Sequence, residues 1–173
     1  MINALCAIAV GIQNNIPAEK ILEGISEFEL TKNRMEIVDG KKGTKIINDS
    51  YNANYDSMKA ALQYLSNVSS DKKIAILGNM GELGDFTEEM HNKVGEEVYH
   101  NKIDILITVG DSARYIANKA IMLGMDKYNV FMCDTNEEAV KKANELMKEG
   151  DCILVKASNS MNFKEIVESL KNN

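Results

Sequence analysis

The sequence predicts an α/β fold, a Rossmann-like doubly wound and mostly parallel sheet of about six strands, preceded by a short helical segment. Two observations support this prediction. Short apolar runs at residues 74–77, 103–109, 130–132 and 152–155 alternate with segments of helical periodicity, which is typical of βαβ units. These runs are almost continuously apolar, as expected for strands that helices cover on both faces.

The first 30 residues differ from the rest of the chain. They hold two helical stripes, formed first by Ala4, Leu5, Ile8, Ala9 and Ile12 and then, after Pro17, by Ala18, Ile21, Leu22 and Ile25. Two short helices cannot bury both stripes by themselves. We therefore interpret residues 1–30 as the helical end of a preceding domain, or as helices that pack on the main domain. We expect residues 31–173 to form one continuous domain.

The main domain begins with two strand-like segments. Residues 35–38 alternate in hydrophobicity, and glycines mark a turn before residues 45–47, so a hairpin or a pair of neighbouring strands is expected. Helical stripes follow between the apolar runs, at Met58, Ala61, Leu62 and Leu65; Met90, Val94 and Val98; Ile116, Ala120 and Leu123; Ala139, Ala143 and Leu146; and Phe163, Ile166, Val167 and Leu170. Thr135 with Glu138 predicts a capping box, and Asn162 with Glu165 resembles one.

Charge and composition exclude several classes of function. The 173 residues carry a net charge of -6, which speaks against nucleic-acid binding because such binding needs a basic face. No apolar run approaches the ~18 residues of a membrane span, and the apolar start lacks the basic region of a secretory signal. We therefore expect a cytoplasmic protein without membrane insertion.

Cysteine and histidine are too sparse for a metal or disulfide framework. The three cysteines, Cys6, Cys133 and Cys152, are far apart, so we expect buried reduced thiols. His91 and His100 are the two imidazoles, and their spacing does not match a metal-binding motif. A structural role is the expected one for His91, and no metal site is predicted in this chain.

The best functional candidate is the polar turn between residues 48 and 57. A strand pattern ends there and a helix pattern begins, with Asn48, Asp49, Ser50, Tyr51, Asn52, Asn54, Asp56 and Ser57 between them. Open α/β sheets bind ligands at the carboxyl ends of their strands, next to helix amino ends. The alternative is a simple connecting loop in which Asn54 or Asp56 caps the helix.

Three further turns follow other strands, at residues 78–84, 110–111 and 156–160. The carboxyl ends of parallel strands share one edge of the sheet, so we expect these turns and residues 49–54 to line a common cleft. Lys156 would be its main positive charge, or else a solvated lysine at a strand end. The glycines Gly78, Gly81 and Gly84 lack the spacing of a dinucleotide fingerprint, and the chain contains no P-loop.

Taken in order, six motifs resemble the carboxyl-terminal part of the Mur ligases. They are N-A-L-C-A-I-A-V-G-I at 3–12, N-R-M-E-I-V at 33–38, I-I-N-D-S-Y-N-A-N at 46–54, I-L-G-N-M-G-E-L-G at 76–84, I-T-V-G-D at 107–111 and L-V-K-A-S-N-S-M at 154–161. The resemblance implies the Mur ligase carboxyl-terminal domain, with residues 1–30 as the end of a central ATPase domain. It also implies a role in ATP-dependent peptidoglycan synthesis, joining D-Ala-D-Ala to UDP-MurNAc-tripeptide.

The resemblance implies roles for individual residues. Asn3, Arg34 and Asp49 match nucleotide-binding positions, while Tyr51, Asn52, Asn54, Lys156 and Ser158 match the side that receives D-Ala-D-Ala. ATP is the implied cosubstrate, and Mg²⁺ would be held mainly by the central domain, so this chain alone is expected to be inactive. On these grounds we expect Asp49→Asn to weaken the use of ATP without a large loss of thermal stability.

Four positions depart from the pattern that the resemblance implies: Tyr55 replaces a proline, Asn79 an aspartate, and Ala157 with Asn159 a glycine and an arginine. The loss of the arginine removes a bidentate anion donor. Two other hypotheses remain open. One is a stand-alone, non-enzymatic Rossmann-like module that binds a nucleotide or a protein partner. The other is a dinucleotide-dependent reductase, which the glycine spacing disfavours.

Overall fold

The computed structural model describes residues 2–28 and 33–172, with side chains from residue 4 onward. The chain divides into two compact units, residues 1–31 and 32–173. Within the described ranges, each helix is too short or too polar to span a lipid bilayer.

The first unit is a pair of helices, α1 (Ile2–Gln13) and α2 (Ala18–Ser26). They approach closely at Gly11, where an added Cβ would lie 2.7 Å from the side chain of Ile21. The pair leaves much of its apolar surface exposed: Leu5 is 61% exposed and Leu22 64%. Cys6 is exposed as well, so the expectation that all three cysteines are buried is wrong at that position.

The second unit is built on one six-stranded sheet. Its strands are β1 (Glu36–Asp39), β2 (Lys45–Asn48), β3 (Lys73–Gly78), β4 (Ile105–Val109), β5 (Val130–Cys133) and β6 (Cys152–Lys156). They lie in the order β1-β2-β6-β3-β4-β5. β1 and β2 pair antiparallel, and the remaining pairs are parallel. The last strand of the chain therefore lies between β2 and β3, which brings the turn after β2 beside the end of β6.

Helices cover both faces of the sheet: α3 (Tyr55–Asn67), α4 (Thr87–His100), α5 (Ala113–Leu123), α6 (Asn136–Leu146) and α7 (Lys164–Leu170). Successive strand residues point to opposite faces. Ile47 and Leu154 accordingly pack with the core on the side of α3, α4 and α5, whereas Ile46 and Val155 pack with the core on the side of α6 and α7. The predicted doubly wound α/β fold is confirmed.

The structure corrects some local predictions. β4 begins at Ile105 rather than at residue 103, and Met35 precedes β1 with a left-handed φ of 49°. The Thr135 hydroxyl does cap α6, by accepting a hydrogen bond from the Glu138 N–H at 3.2 Å. Asn162 does not cap α7, whose N-cap residue is Phe163; it instead ends the short 3-10 helix at Asn159–Met161 in a left-handed conformation.

Candidate functional site

A cavity of about 610 Å³ lies at the carboxyl ends of β2 and β6, beside α3. It is lined by Arg34, Met35, Asp49, Tyr51, Asn52, Ala53, Asn54, Ser57, Ala60, Ala61, Tyr64 and Lys156. The polar turn singled out in the sequence thus forms one wall, and the exposed face of α3 forms another. This position is the one at which open parallel sheets bind ligands.

Hydrogen bonds hold the turn at both ends. At the strand end, the Asn48 side chain accepts from the Ser50 hydroxyl at 2.7 Å and donates to the Asn33 side chain at 2.9 Å. At the helix end, Asn54 caps α3 through a reciprocal capping box with Ser57. The capping alternative is therefore correct for Asn54. Residues 49–53 between these anchors have little freedom to rearrange.

A buried ion pair crosses the floor of the turn. The Lys156 ammonium donates to the Asp49 carboxylate at 2.5 Å and to the backbone oxygen of Asn52 at 2.8 Å. The Lys156 side chain is 1% exposed, and that of Asp49 is 10% exposed. Burial lowers the pKa of Lys156, while the hydrogen bond and charge of Asp49 oppose that shift.

This pairing changes the roles expected for both residues. Lys156 is not a solvated lysine, and its charge is already balanced by Asp49. The second carboxylate oxygen of Asp49 accepts from the Met35 N–H at 3.2 Å. Asp49 therefore holds the turn together, and a substitution there should lower stability as well as affect any ligand. The expectation that Asp49→Asn spares thermal stability does not follow from this geometry.

Arg34 is the exposed cation of the cavity. Its guanidinium carbon lies 4.3 Å from the centre of the Tyr51 ring, within the range of a cation–π contact. Among the described residues, no carboxylate lies within ion-pairing distance of this guanidinium. A guanidinium stacked by its face keeps the N–H donors along its edge available to an anion.

Asn159, at the position where the resemblance implies an arginine, contacts the backbone of the polar turn. Its side-chain amide donates to the backbone oxygen of Tyr51 at 3.1 Å, so it braces the turn from the β6 side. The side-chain oxygen of Asn52 accepts from the Ala53 N–H at 2.9 Å. Asn52 and Tyr51 are both exposed and line the cavity. Asn159 therefore acts here on the backbone of the turn.

The strand-end turns do not form a single cleft. Asn79 joins three of them, because its side chain accepts from the Ala113 N–H at 2.8 Å and its backbone oxygen accepts from the Ser158 N–H at 2.9 Å. Ser158 lies beside Gly81, and neither residue lines the cavity. The turns share the same edge of the sheet, but the expected common cleft is wrong in its extent: the turn after β2 and Lys156 line the cavity, whereas residues 78–84 and 110–111 do not.

Gly78, the last residue of β3, lies in a tightly packed position. A Cβ there would lie 2.6 Å from the Phe163 ring and 2.7 Å from Ala157. This close contact between backbone and side chains leaves no room for a phosphate at Gly78. Small residues at 78 and 157 are thus explained by packing alone.

His91 fixes the loop after β3 from the helix side. It is fully buried; its Nδ1–H donates to the Thr87 oxygen at 2.6 Å, and its Nε2 accepts from the Met80 N–H at 3.0 Å. Burial lowers the pKa of His91, although the bond to Thr87 opposes this. His91 therefore has the structural role expected from the sequence, as a neutral imidazole.

Tyr55 occupies the first position of α3, where the resemblance implies a proline. Proline suits that position because the first N–H groups of a helix lack intrahelical partners. The tyrosine instead donates its hydroxyl to Glu97 on α4 at 3.2 Å. Its side chain does not line the cavity, so this departure leaves the candidate site unchanged.

Sequence reasoning missed the α3 wall of the cavity. Ala60, Ala61 and Tyr64 line it together with Ser57. The spacing of 57, 60, 61 and 64 is that of one helix face, which was a usable signal once the turn had been chosen. The side chain of Asn3, also predicted as a nucleotide contact, lies outside the described residues.

The cavity suits a small, polar ligand with an anionic end. It combines one exposed guanidinium, amide and hydroxyl groups, and small apolar side chains. Its carboxylate, Asp49, is engaged by Lys156 and Met35, and the described ranges contain no cluster of three metal-ligating side chains. The residues present therefore do not fit a Mg²⁺ site.

The fold and the site correspond to a ligand-binding α/β domain, and residues 33–159 match the Mur ligase, glutamate ligase domain. The chain belongs to the Mur ligase family, which confirms the resemblance inferred from its motifs. Over 171 residues it is 36% identical to the UDP-N-acetylmuramoyl-tripeptide–D-alanyl-D-alanine ligase of Bacillus subtilis, covering 98% of this chain and 37% of that protein.

Two solved structures agree in fold. A crystal structure of MurF from Acinetobacter baumannii has a TM-score of 0.84 at 26% identity, covering 97% of this chain and 36% of that one. A crystal structure of MurF from Thermotoga maritima in complex with ADP has a TM-score of 0.69 at 23% identity, covering 83% of this chain and 31% of that one. The chain thus spans about a third of the length of these relatives.

Proposed function

We propose that this chain is the carboxyl-terminal part of an ATP-dependent amide ligase that adds D-Ala-D-Ala to UDP-MurNAc-tripeptide in peptidoglycan synthesis. The observation that carries the proposal is the 36% identity to the ligase of Bacillus subtilis over 98% of this chain. The cavity supports it, because the D-S-Y-N-A-N turn forms one of its walls. A reaction of this kind uses nucleotide substrates of the cytoplasm, where we place the protein.

In such a reaction ATP phosphorylates the terminal carboxylate of the tripeptide and leaves as ADP. The amine of D-Ala-D-Ala then attacks the acyl phosphate, an amide bond forms, and inorganic phosphate and a proton are released. The work of the protein is mostly to position the two substrates and to stabilise developing charge. In this proposal the cavity holds the dipeptide, with Tyr51, Asn52 and Asn54 at its wall.

We assign different kinds of role to the predicted site residues. Arg34, as an exposed guanidinium, is the direct contact to an anionic group of a substrate. Asp49 and Lys156 are positioning residues, because they form an ion pair with each other and Lys156 also donates to the backbone of the turn. Ser158 lies outside the cavity, so its contribution to the dipeptide side would be through the neighbouring turns. Asn3 keeps its proposed role toward the nucleotide.

We further propose that residues 1–30 are the end of a central ATPase domain, which would hold the P-loop and Mg²⁺. The exposed apolar residues of α1 and α2 agree with this, since helices that once packed in a larger core leave such surfaces when considered alone. Mg²⁺ would supply charge neutralisation at the phosphates. The described residues of this chain have no donor set for it.

The proposal is tested by comparing the full gene product with this 173-residue chain in a phosphate-release assay. With ATP, UDP-MurNAc-tripeptide and D-Ala-D-Ala, the full gene product should release phosphate and form the ligated pentapeptide, whereas the chain alone should do neither. Turnover by the chain alone would overturn the proposed division of the site. A gene without an upstream G-x-x-G-K-[ST] segment, whose product binds nucleotide without turnover, would favour the stand-alone module.

A further inference from the structure

The segment that carries Arg34 has an unusual backbone. Asn33 has a φ of 63° and Met35 a φ of 49°, so non-glycine residues on both sides of Arg34 lie in the left-handed region. Side chains disfavour this region, and such strain persists only where surrounding contacts hold it. Residues 33–35 are therefore held in one conformation by something outside the segment.

The contacts that hold it come largely from the turn after β2. The Tyr51 N–H donates to the Asn33 oxygen at 3.1 Å, and the Asn48 side chain donates to the Asn33 side chain at 2.9 Å. On the other side of Arg34, the Met35 N–H donates to Asp49 at 3.2 Å. The backbone of the arginine is thus tied on both sides to residues 48–51.

The side chain of Arg34 is tied to the same turn. Its guanidinium lies over the Tyr51 ring at 4.3 Å. Tyr51 is 41% exposed, so hydrophobic burial does not account for an aromatic side chain at this position. A flat ring beneath a guanidinium restricts its rotation and leaves its edge donors directed away from the ring.

From this geometry we infer that Tyr51 is a positioning residue for Arg34. The ring holds the guanidinium at the cavity so that it presents paired N–H donors to an oxyanion of a substrate. Tyr51 then influences binding mainly through the arginine, and not mainly through its own hydroxyl. This inference rests on the proposed function, since it concerns substrate binding at the same cavity. The oxyanion is either a nucleotide phosphate or the dipeptide carboxylate.

A double-mutant cycle in the full gene product tests this inference. The apparent KM values for ATP and for D-Ala-D-Ala are measured for the wild type, Arg34→Ala, Tyr51→Ala and the double variant. Whichever KM is raised by Arg34→Ala identifies the oxyanion. Tyr51→Ala should raise the same KM about fivefold, which corresponds to about 1 kcal/mol. In the Tyr51→Ala background, Arg34→Ala should add only about a twofold effect.

Tyr51→Phe is the matched comparison, because phenylalanine keeps the ring and removes the hydroxyl. In that background Arg34→Ala should keep its full effect on KM. Tyr128→Ala, at an exposed ring away from the cavity, should change neither KM. If Arg34→Ala has the same effect in the wild-type, Tyr51→Ala and Tyr51→Phe backgrounds, Tyr51 does not position the arginine and the inference is wrong.

A second measurement does not depend on turnover. Ring currents should shift the Arg34 Hδ resonances upfield in the wild-type chain and in Tyr51→Phe, and the shift should disappear in Tyr51→Ala. Unshifted Arg34 resonances in the wild type would overturn the inference whatever the enzymatic result. If the wild type shows no turnover that depends on ATP and the dipeptide, the proposed function is wrong. The Arg34 resonances would still show whether the Tyr51 ring holds the guanidinium.

Discussion

Separating Asp49 from Lys156 should destabilise the protein strongly. A buried lysine without a partner can lose its proton and become neutral. At pH 7.5, which is roughly three pH units below the ordinary lysine pKa, this deprotonation costs about 1.36 kcal/mol per unit. The penalty for the unpaired ammonium is thereby limited to ~4 kcal/mol, and we expect Asp49→Asn to lower the free energy of unfolding by about this amount. Lys156→Met keeps an apolar side chain in the buried position. The Asp49 carboxylate is then unpaired, but it is partly solvated and still accepts from the Met35 N–H, so we expect the free energy of unfolding to fall by about 3 kcal/mol.

The assay is urea denaturation at pH 7.5, followed by far-UV circular dichroism, with thermal melts in parallel. At about 3 °C per kcal/mol for a unit of this size, each single variant should melt roughly 10 °C lower. The double variant, Asp49→Asn with Lys156→Met, has no unpaired buried charge, so its loss should be clearly smaller than the sum of the single losses. Single losses below about 1 kcal/mol, or strictly additive losses, would refute the buried ion pair.

Three further variants probe the elements around the site. The free energy of unfolding of the wild type should fall from pH 7.5 to 5.5, and it should fall less in His91→Gln. The pKa of His91 is lowered in the folded state, so its contribution to stability is complete above the ordinary histidine pKa of about 6.5 and is lost at lower pH, where the unfolded state binds a proton first. Gly78→Ala should cost about 1 to 3 kcal/mol in urea denaturation, because its Cβ would overlap the Phe163 ring. Asn79→Asp should stabilise by about 0.3 to 1 kcal/mol at low salt, since a carboxylate would then face the amino end of α5.

Matched controls make these outcomes decisive. His100→Gln changes the exposed histidine and should keep the wild-type pH dependence; an equal loss of pH dependence in both variants would contradict the role of His91. Gly24→Ala, where an added Cβ meets no atom within 4 Å, should be neutral or stabilising, unlike Gly78→Ala. A stabilising effect of Asn79→Asp that persists unchanged in 1 M salt would not be electrostatic.

The fold was predictable because its signals are local. The apolar strand runs and the helical stripes can each be recognised in a short window of sequence. The strands and helices of the structure lie at these positions, with shifts of one or two residues at their ends. The turn after β2 was also predictable, since Asn48 to Ser57 combine a strand end, polar side chains and a helix cap. Its capping by Asn54 follows from the same local chemistry.

The site was less predictable because its contacts are distant in sequence. Lys156 and Asp49 are separated by 107 positions, and they meet only because β6 lies between β2 and β3. The predicted parallel sheet did not specify that strand order, so the lysine was expected to be an available cation. For the same reason the extent of the cleft was not predictable: the 156–160 turn contacts the cavity through Lys156 and Asn159, whereas Asn79 is bonded to Ser158 and lies outside the cavity.

The central claim, that this cavity receives the dipeptide, is tested most directly by filling it. Ala60 lies on the exposed face of α3 and lines the cavity, whereas Gln63 is exposed on the same helix and does not. In the full gene product, Ala60→Phe should raise the KM for D-Ala-D-Ala at least about tenfold and leave the KM for UDP-MurNAc-tripeptide unchanged, a loss of at least ~1.4 kcal/mol in dipeptide binding. Gln63→Phe should change neither value. An unchanged KM for D-Ala-D-Ala in Ala60→Phe would contradict the account.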